Sequence, residues 1–178
     1  MTRPSLTVLL PSAVRHPLRA LPSPWEETTV TVSFLEHLVV GDFRMAAQLS
    51  PTCTAAASLT LVFGWTDAQN YYLAHLQPSL DQPGQCELQL SVVHFGHRHL
   101  LAEFTSESGG RAIRLERSLR SGAILIFLDG AALPVLQACD HTHEAGRIGL
   151  AAAEGTWSKD ALELRGILVT STVLSNAS

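Results

Sequence analysis

Lysine is almost missing from this chain of 178 residues: Lys159 is the only one, and 12 Lys and Arg together stand against 16 Asp and Glu, for a net charge of -4. The few basic residues are scattered. A face that binds nucleic acid needs clustered cations along a phosphate backbone, so nucleic acid is excluded as a partner. Long apolar runs are missing too. No stretch approaches the roughly 18–20 residues that a membrane-spanning helix requires, so no membrane partner is expected. Cysteine is scarce: Cys53, Cys86 and Cys139 are an odd number without a Cys-x-x-Cys pair. A disulfide framework is not indicated, and the default is three free, partly buried thiols. The apolar run within Met1–Pro11 is too short and too broken by proline for a signal peptide, which makes the cytoplasm the default location.

Catalytic signatures are equally scarce. There is no Gly-x-Ser-x-Gly elbow and no cysteine in a recognisable active-site context. Gly109-Gly110 precedes a strand rather than a helix, so it is not a phosphate loop. No cofactor is expected. Helical segments of ten or more residues with caps are absent as well. The nearest candidates are Pro51–Ala57, which is short, and Pro134–Cys139, which reads as one helical turn or an edge strand.

What the chain has is a 46% hydrophobic composition, enough for one domain with a real core. It spends those residues on strands. Thr28–Phe34, Phe43–Leu49, Ser58–Trp65, Tyr71–Leu76, Glu87–Phe95, His99–Phe104, Ala112–Arg117, Ala123–Leu128, Ile148–Ala153 and Ala161–Val169 alternate or run apolar between turn signals. About ten to twelve short strands at such intervals predict an antiparallel two-sheet sandwich or jelly roll. Leu61–Leu76 is the clearest hairpin, with a Thr66–Asn70 turn. Gly96-His97 and Asp129-Gly130 mark two more turns. Residues 1–24 hold five of the nine prolines and predict an irregular arm, with one strand at Leu6–Leu10, ahead of a single domain over 25–178.

Four segments together carry a family resemblance. They are Gly41–Met45, the Leu61–Leu76 hairpin, Ile113–Glu116 with Ile124–Gly130, and Gly146–Leu150 with the closing strand Ala161–Val169. In order and spacing this set, from about residue 40 to about residue 170, resembles concanavalin-A-like, laminin-G-like jelly rolls, in particular the bacterial 3-keto-disaccharide hydrolase-like group. The resemblance implies an all-β jelly-roll sandwich and a carbohydrate as the ligand class. It also implies two departures. Relatives often carry an arginine where this chain has Gly64, and another where it has His75. The Glu-x-Asp-x-x-Glu strand of the laminarinase branch is absent, which speaks against that retaining mechanism with its carboxylates about 5–5.5 Å apart.

Candidate chemistry is thin. His94, His97 and His99 form one cluster and His141 and His143 another. They favour solvated turns over a metal site, because the two clusters join only if their loops meet. Arg114 and Glu116, two apart on one strand, share a face roughly 7 Å apart and suit a polar sheet surface that binds sugar or simply meets solvent. Trp65, Tyr71, Tyr72 and Trp157 are the rings weighed for sugar stacking, with Trp65 and Trp157 the better surface candidates and core packing the commoner fate. The candidate ligand-binding residues are therefore Trp65, Asp67, His75, Arg114 and Glu116, with no metal. The main expectation is a carbohydrate-binding or structural β-sandwich. The alternative is a glycoside hydrolase of the 3-keto-disaccharide hydrolase-like type, with Asp67, His75, Arg114 and Glu116 as acid/base and orienting groups. Sheet edges and the proline-rich arm leave surface for a homodimer.

Overall fold

The computed structural model describes residues 15–18, 30–49, 58–79, 82, 84–107, 110–153, 162–163 and 167–168. The described residues form strands and turns, without a helix. In chain order the strands are β1 (Arg15–Leu18), β2 (Val30–Val40), β3 (Phe43–Leu49), β4 (Leu59–Asp67), β5 (Asn70–Pro78), β6 (Cys86–His94), β7 (His97–Ser106), β8 (Ala112–Arg117), β9 (Ala123–Leu128), β10 (Leu136–Cys139), β11 (Gly146–Ala153), β12 (Leu162–Glu163) and β13 (Ile167–Leu168). They build a seven-stranded sheet in the order β1-β2-β11-β4-β5-β6-β7 and a second sheet in the order β10-β9-β8-β3-β12, with β13 also on β3. The pairings are antiparallel. The predicted all-β two-sheet sandwich is what the chain forms.

Alternation decides which residues line the space between the sheets. On β5, Tyr72, Ala74 and Leu76 join Phe63 of β4 and Leu88 of β6 in one buried cluster. On the facing sheet, Met45, Ile113, Leu115 and Ile126 complete it. Successive side chains of a strand point to opposite faces, so this cluster is the interlayer core. The opposite face of the seven-stranded sheet is buried too. Phe34, Val62, Trp65, Tyr71, Leu73 and Val93 form a second cluster there. The central strands β4 and β5 are thus buried on both faces. By contrast β8 alternates strictly between buried and half-buried positions, the pattern of a sheet with one solvated face.

Several boundaries differ from the sequence reading. For Pro134–Cys139 the structure decides between the two readings for the edge strand: Leu136–Cys139 pairs with β9. Of the closing segment Ala161–Val169, the described residues Leu162–Glu163 and Ile167–Leu168 pair with β3. The third hairpin turns at Phe95-Gly96 rather than Gly96-His97, and His97 opens β7 opposite His94. Within the proline-rich segment, Arg15–Leu18 is a strand on β2. Pro17 is tolerated there because an edge strand needs its N–H on one side only. The strand expected at Leu6–Leu10, the boundary at residue 24, Pro51–Ala57, Cys53 and Trp157 lie outside the described residues.

Two glycines shape the end of the sandwich where β4 meets β11. Gly64 has φ +59° inside β4, and the β4–β5 register slips between Phe63 and Asp67. A left-handed residue within a strand produces such a bulge, and glycine takes that conformation without steric cost. Gly146 opens β11 against this bulge. A Cβ on it would stand 2.3 Å from the Gly64 carbonyl carbon and 2.6 Å from the Trp65 nitrogen. Backbone cannot yield as a flexible side chain can. Gly146→Ala is therefore expected to lower unfolding stability by about 2–4 kcal/mol, while Val39→Ala at an exposed site stays within about 0.5 kcal/mol of the parent. Urea denaturation reads both. A Gly146→Ala midpoint equal to the parent's would show that the two strands do not approach so closely.

Candidate functional site

The structure does not bring the five candidate residues together. Trp65 and His75 lie on the outer face of the seven-stranded sheet: the bulge at Gly64 turns Trp65 into the second cluster, and the neighbours of His75, Ala74 and Leu76, face the core. Arg114 and Glu116 lie on the outer face of the other sheet, because Ile113 and Leu115 face the core. The two outer faces point in opposite directions across a sandwich whose layers are about 10 Å apart. Asp67 sits at a hairpin tip. Alternation in sequence tells that a residue faces outward but not from which sheet.

Each candidate already has work inside the fold. Trp65 is only 7% exposed and packs 4.9 Å from the rings of both Phe34 and Tyr71. Of the two fates weighed for it, packing is the one it has, and it offers no ring to a ligand. The Asp67 carboxylate accepts from the Gln69 N–H at 2.7 Å and from the Asn70 amide at 3.0 Å. These bonds, led by the Gln69 N–H, hold its carboxyl below the usual range, as expected for an Asx-type turn. Glu116 pairs with Arg44 at 2.7 Å and lies 3.2 Å from Arg114. The Arg114 guanidinium covers the Phe127 ring at 3.8 Å. His75 is buried, with Nδ1 2.7 Å from the Thr60 hydroxyl and Nε2 3.3 Å from Gln77 Oε1. A carbonyl oxygen can only accept, so Nε2 carries the proton and the Thr60 hydroxyl donates to Nδ1.

The groups that do converge come from other strands. At one end of the sandwich the Tyr72 hydroxyl donates to Asp140 Oδ1 at 2.5 Å and accepts from the His143 N–H at 3.1 Å. Thr142 N–H also donates to Asp140 Oδ1, at 2.8 Å. Burial works to raise the Asp140 carboxyl, but the Tyr72 and Thr142 bonds outweigh it and hold the group below the usual range. Burial, aided by the Asp140 bond, pushes the Tyr72 hydroxyl up to about 12. It is a fixed donor, not a base.

Arg117, 4% exposed, closes the same loop. Its Nη1 donates to the Glu144 carbonyl at 2.9 Å, and its Nη2 donates to the His143 carbonyl. The guanidinium lies 4.8 Å from the Tyr72 ring centre and fills the space above Gly64, where a Cβ would come within 2.9 Å of Nη1. So the space beside Gly64 is occupied by a guanidinium reaching in from β8.

The two histidine clusters meet. His143 Nε2 donates to the Val93 carbonyl at 2.7 Å, and its ring is 5.5 Å from that of His94. Among the described residues no three His, Cys, Asp or Glu side chains are grouped to hold a metal ion. What the meeting creates is a line of rings. Phe43–Phe63 (5.7 Å), Phe63–Tyr72 (5.1 Å), Tyr72–His143 (5.1 Å), His143–His94 (5.5 Å) and His94–Phe95 (4.2 Å) run from the core to the surface.

Phe95, the last ring, was not among the rings weighed from sequence. It is 70% exposed and has φ +49°. A bulky residue in the left-handed region costs about 1–2 kcal/mol. The signal was a Phe-Gly pair where a two-residue hairpin favours Asn-Gly or Asp-Gly. The turn that opens the β9–β10 connection, Asp129-Gly130, has the favoured pair, with φ +47° and +77°. The Phe95 tip is held by its own N–H donating to Asn70 Oδ1 at 3.1 Å and by the Gly96 N–H donating to the Gln69 carbonyl at 2.9 Å.

No protein-family model matches the chain, and no curated protein matches it. Solved structures do. A carbohydrate-binding module, CBM66, from Bacillus subtilis is 18% identical with a TM-score of 0.53, over 78% of this chain and 79% of that one. A tetrameric galectin from the ball sponge Cinachyrella sp. is 10% identical with a TM-score of 0.47, over 78% and 96%. The first similarity shows the fold: this chain is a concanavalin-A-like jelly roll, as the sequence resemblance implied.

His75 gives this region a pH signature. Burial, reinforced by the nearby Arg98 cation and opposed by the Gln77 bond, lowers it to about 4, against about 6.5 in an unfolded chain. Between those values the unfolded state binds more protons, so stability is full above pH 6.5 and falls as pH drops toward 4. One proton sets a slope of up to about 1.4 kcal/mol per pH unit and a total of about 3 kcal/mol. His75→Gln is expected to remove that component from the slope between pH 6.5 and 4 in denaturant titrations. Parallel slopes for variant and parent would show that His75 does not titrate as its burial dictates.

Proposed function

We propose that this chain is a non-catalytic carbohydrate-binding β-sandwich domain. One observation carries the reading: the acids and bases put forward for catalysis are committed to partners inside the fold. Asp67 holds a turn, Glu116 holds Arg44, and His75 is buried between Thr60 and Gln77. A general acid or base must reach a substrate proton at hydrogen-bond distance. The four groups named for the hydrolase reading also divide between two opposite faces and a turn. The jelly-roll fold, shared with a protein described as a carbohydrate-binding module, supports sugar as the ligand class. That part of the argument is analogy of fold.

The test is a glycan array followed by calorimetry on the hits, with a reducing-end assay on the same sugars. Binding at millimolar concentration or tighter, without release of reducing ends, is the expected outcome. Turnover of any bound glycan would replace this reading with the hydrolase one. Silence across the array at millimolar sugar would remove carbohydrate as the ligand.

A further inference from the structure

We infer that Phe95, at the tip of the β6–β7 hairpin, is the ring on which the sugar stacks, which places the binding site at the end of the sandwich rather than on either sheet face. The inference rests on the carbohydrate-binding reading above and gives it a location.

The first support is strain without an internal return. Phe95 holds a left-handed backbone that Asn, Asp or Gly would adopt more readily, yet its ring is mostly exposed. An observed outlier of this kind points to function, because core packing does not compensate it. The second support is rigidity. His94 lies under the ring at 4.2 Å, and His94 in turn meets His143, whose Nε2–H is bonded to β6. The tip backbone is bonded to Gln69 and Asn70 of the neighbouring hairpin. A ring held this way loses little freedom on binding.

The third support separates sugar from protein. A protein hot spot sits inside a contiguous apolar patch that excludes water. Phe95 has none among the described residues. The other large exposed hydrophobics are Val39, Leu100 and Leu133. Val39 is on β2, four strands from β6, or about 19 Å across the sheet. Leu100 is three residues beyond the turn along β7, about 10 Å away. Leu133 is in the β9–β10 connection at the other end of the sandwich. Polar groups stand at the tip instead: exposed His97, close by in sequence, and Gln69 and Asn70 of the hairpin bonded to the tip backbone. One aromatic face for the C–H side of a pyranose or furanose, with amides and an imidazole beside it for its hydroxyls, is the chemistry that recognises a sugar.

The experiment is affinity electrophoresis of the full chain in gels containing soluble xylan, β-glucan, galactan or fructan. The parent, Phe95→Ala, Phe95→Trp and Phe95→Asn are compared, each with its thermal midpoint measured. The expected result is retardation of the parent by at least one polysaccharide. Binding should weaken about tenfold or more in Phe95→Ala and Phe95→Asn and be kept in Phe95→Trp. The thermal midpoint of Phe95→Asn should rise, since asparagine relieves the strained turn. If the parent binds and the Ala and Asn variants bind equally well, the ring is not the site and the carbohydrate reading stands without it. A parent that binds none of the four overturns this assignment along with the sugar reading. A lower midpoint for Phe95→Asn would make Phe95 a structural residue and overturn the inference by itself.

Discussion

The hydroxyl of Tyr72 is the joint between the core and the end of the sandwich. Its ring stacks on Phe63 at 5.1 Å with planes only 14° apart, which fixes it to the interlayer core. Its oxygen, donating to Asp140 and accepting from the His143 N–H, reaches the β10–β11 connection. A buried hydroxyl without partners would cost more than these bonds return in water, so the loop must be in place for the core to close. Arg117 completes the arrangement by capping two carbonyls of the same loop. It can do so only because Gly64 leaves room for its guanidinium. Removal of Tyr72, Gly64 or Arg117 leaves the other two with unfilled space or unmet bonds, which is why their effects should couple.

From that joint the ring contacts continue outward through His143 and His94 to Phe95. The order matters physically. Each ring is held by the one before it, and the loops at this end are bonded to one another across three connections. The end of the sandwich is therefore a supported surface, whereas Arg44, Glu116 and Arg114 form a self-contained pair network on an otherwise ordinary solvated sheet face. Chemistry that needs a preorganised group is better served by the former.

Much of the fold was legible in the sequence because alternation is a direct record of one buried face. Phe43–Leu49, Ala112–Arg117 and Ala123–Leu128 became strands with the bounds read from them. The burial of β4 and β5 on both faces was less legible. Val62, Leu73 and Tyr71 break simple alternation without saying what lies on the second face. The site was hardly legible at all. Trp65 stands next to a turn, which leaves both surface and packing open in the sequence, and the bulge at Gly64 turns it toward Phe34 and Tyr71. Asp67, His75, Arg114 and Glu116 were grouped by polarity, and only the sheet topology reveals that they face apart. An aromatic residue is not expected at positive φ, so nothing in the sequence moves the turn from Gly96-His97 to Phe95-Gly96, where the structure has it.

The central claim is that ligand recognition lies at this end of the molecule and not on a sheet face. Backbone amide chemical-shift mapping, with the oligosaccharide that binds most tightly, tests it without altering any side chain. The amides expected to shift fall within residues 67–70, 94–97 and 140–144. Shifts concentrated instead around Arg44, Arg114 and Glu116, with the Phe95 tip unmoved, would contradict it.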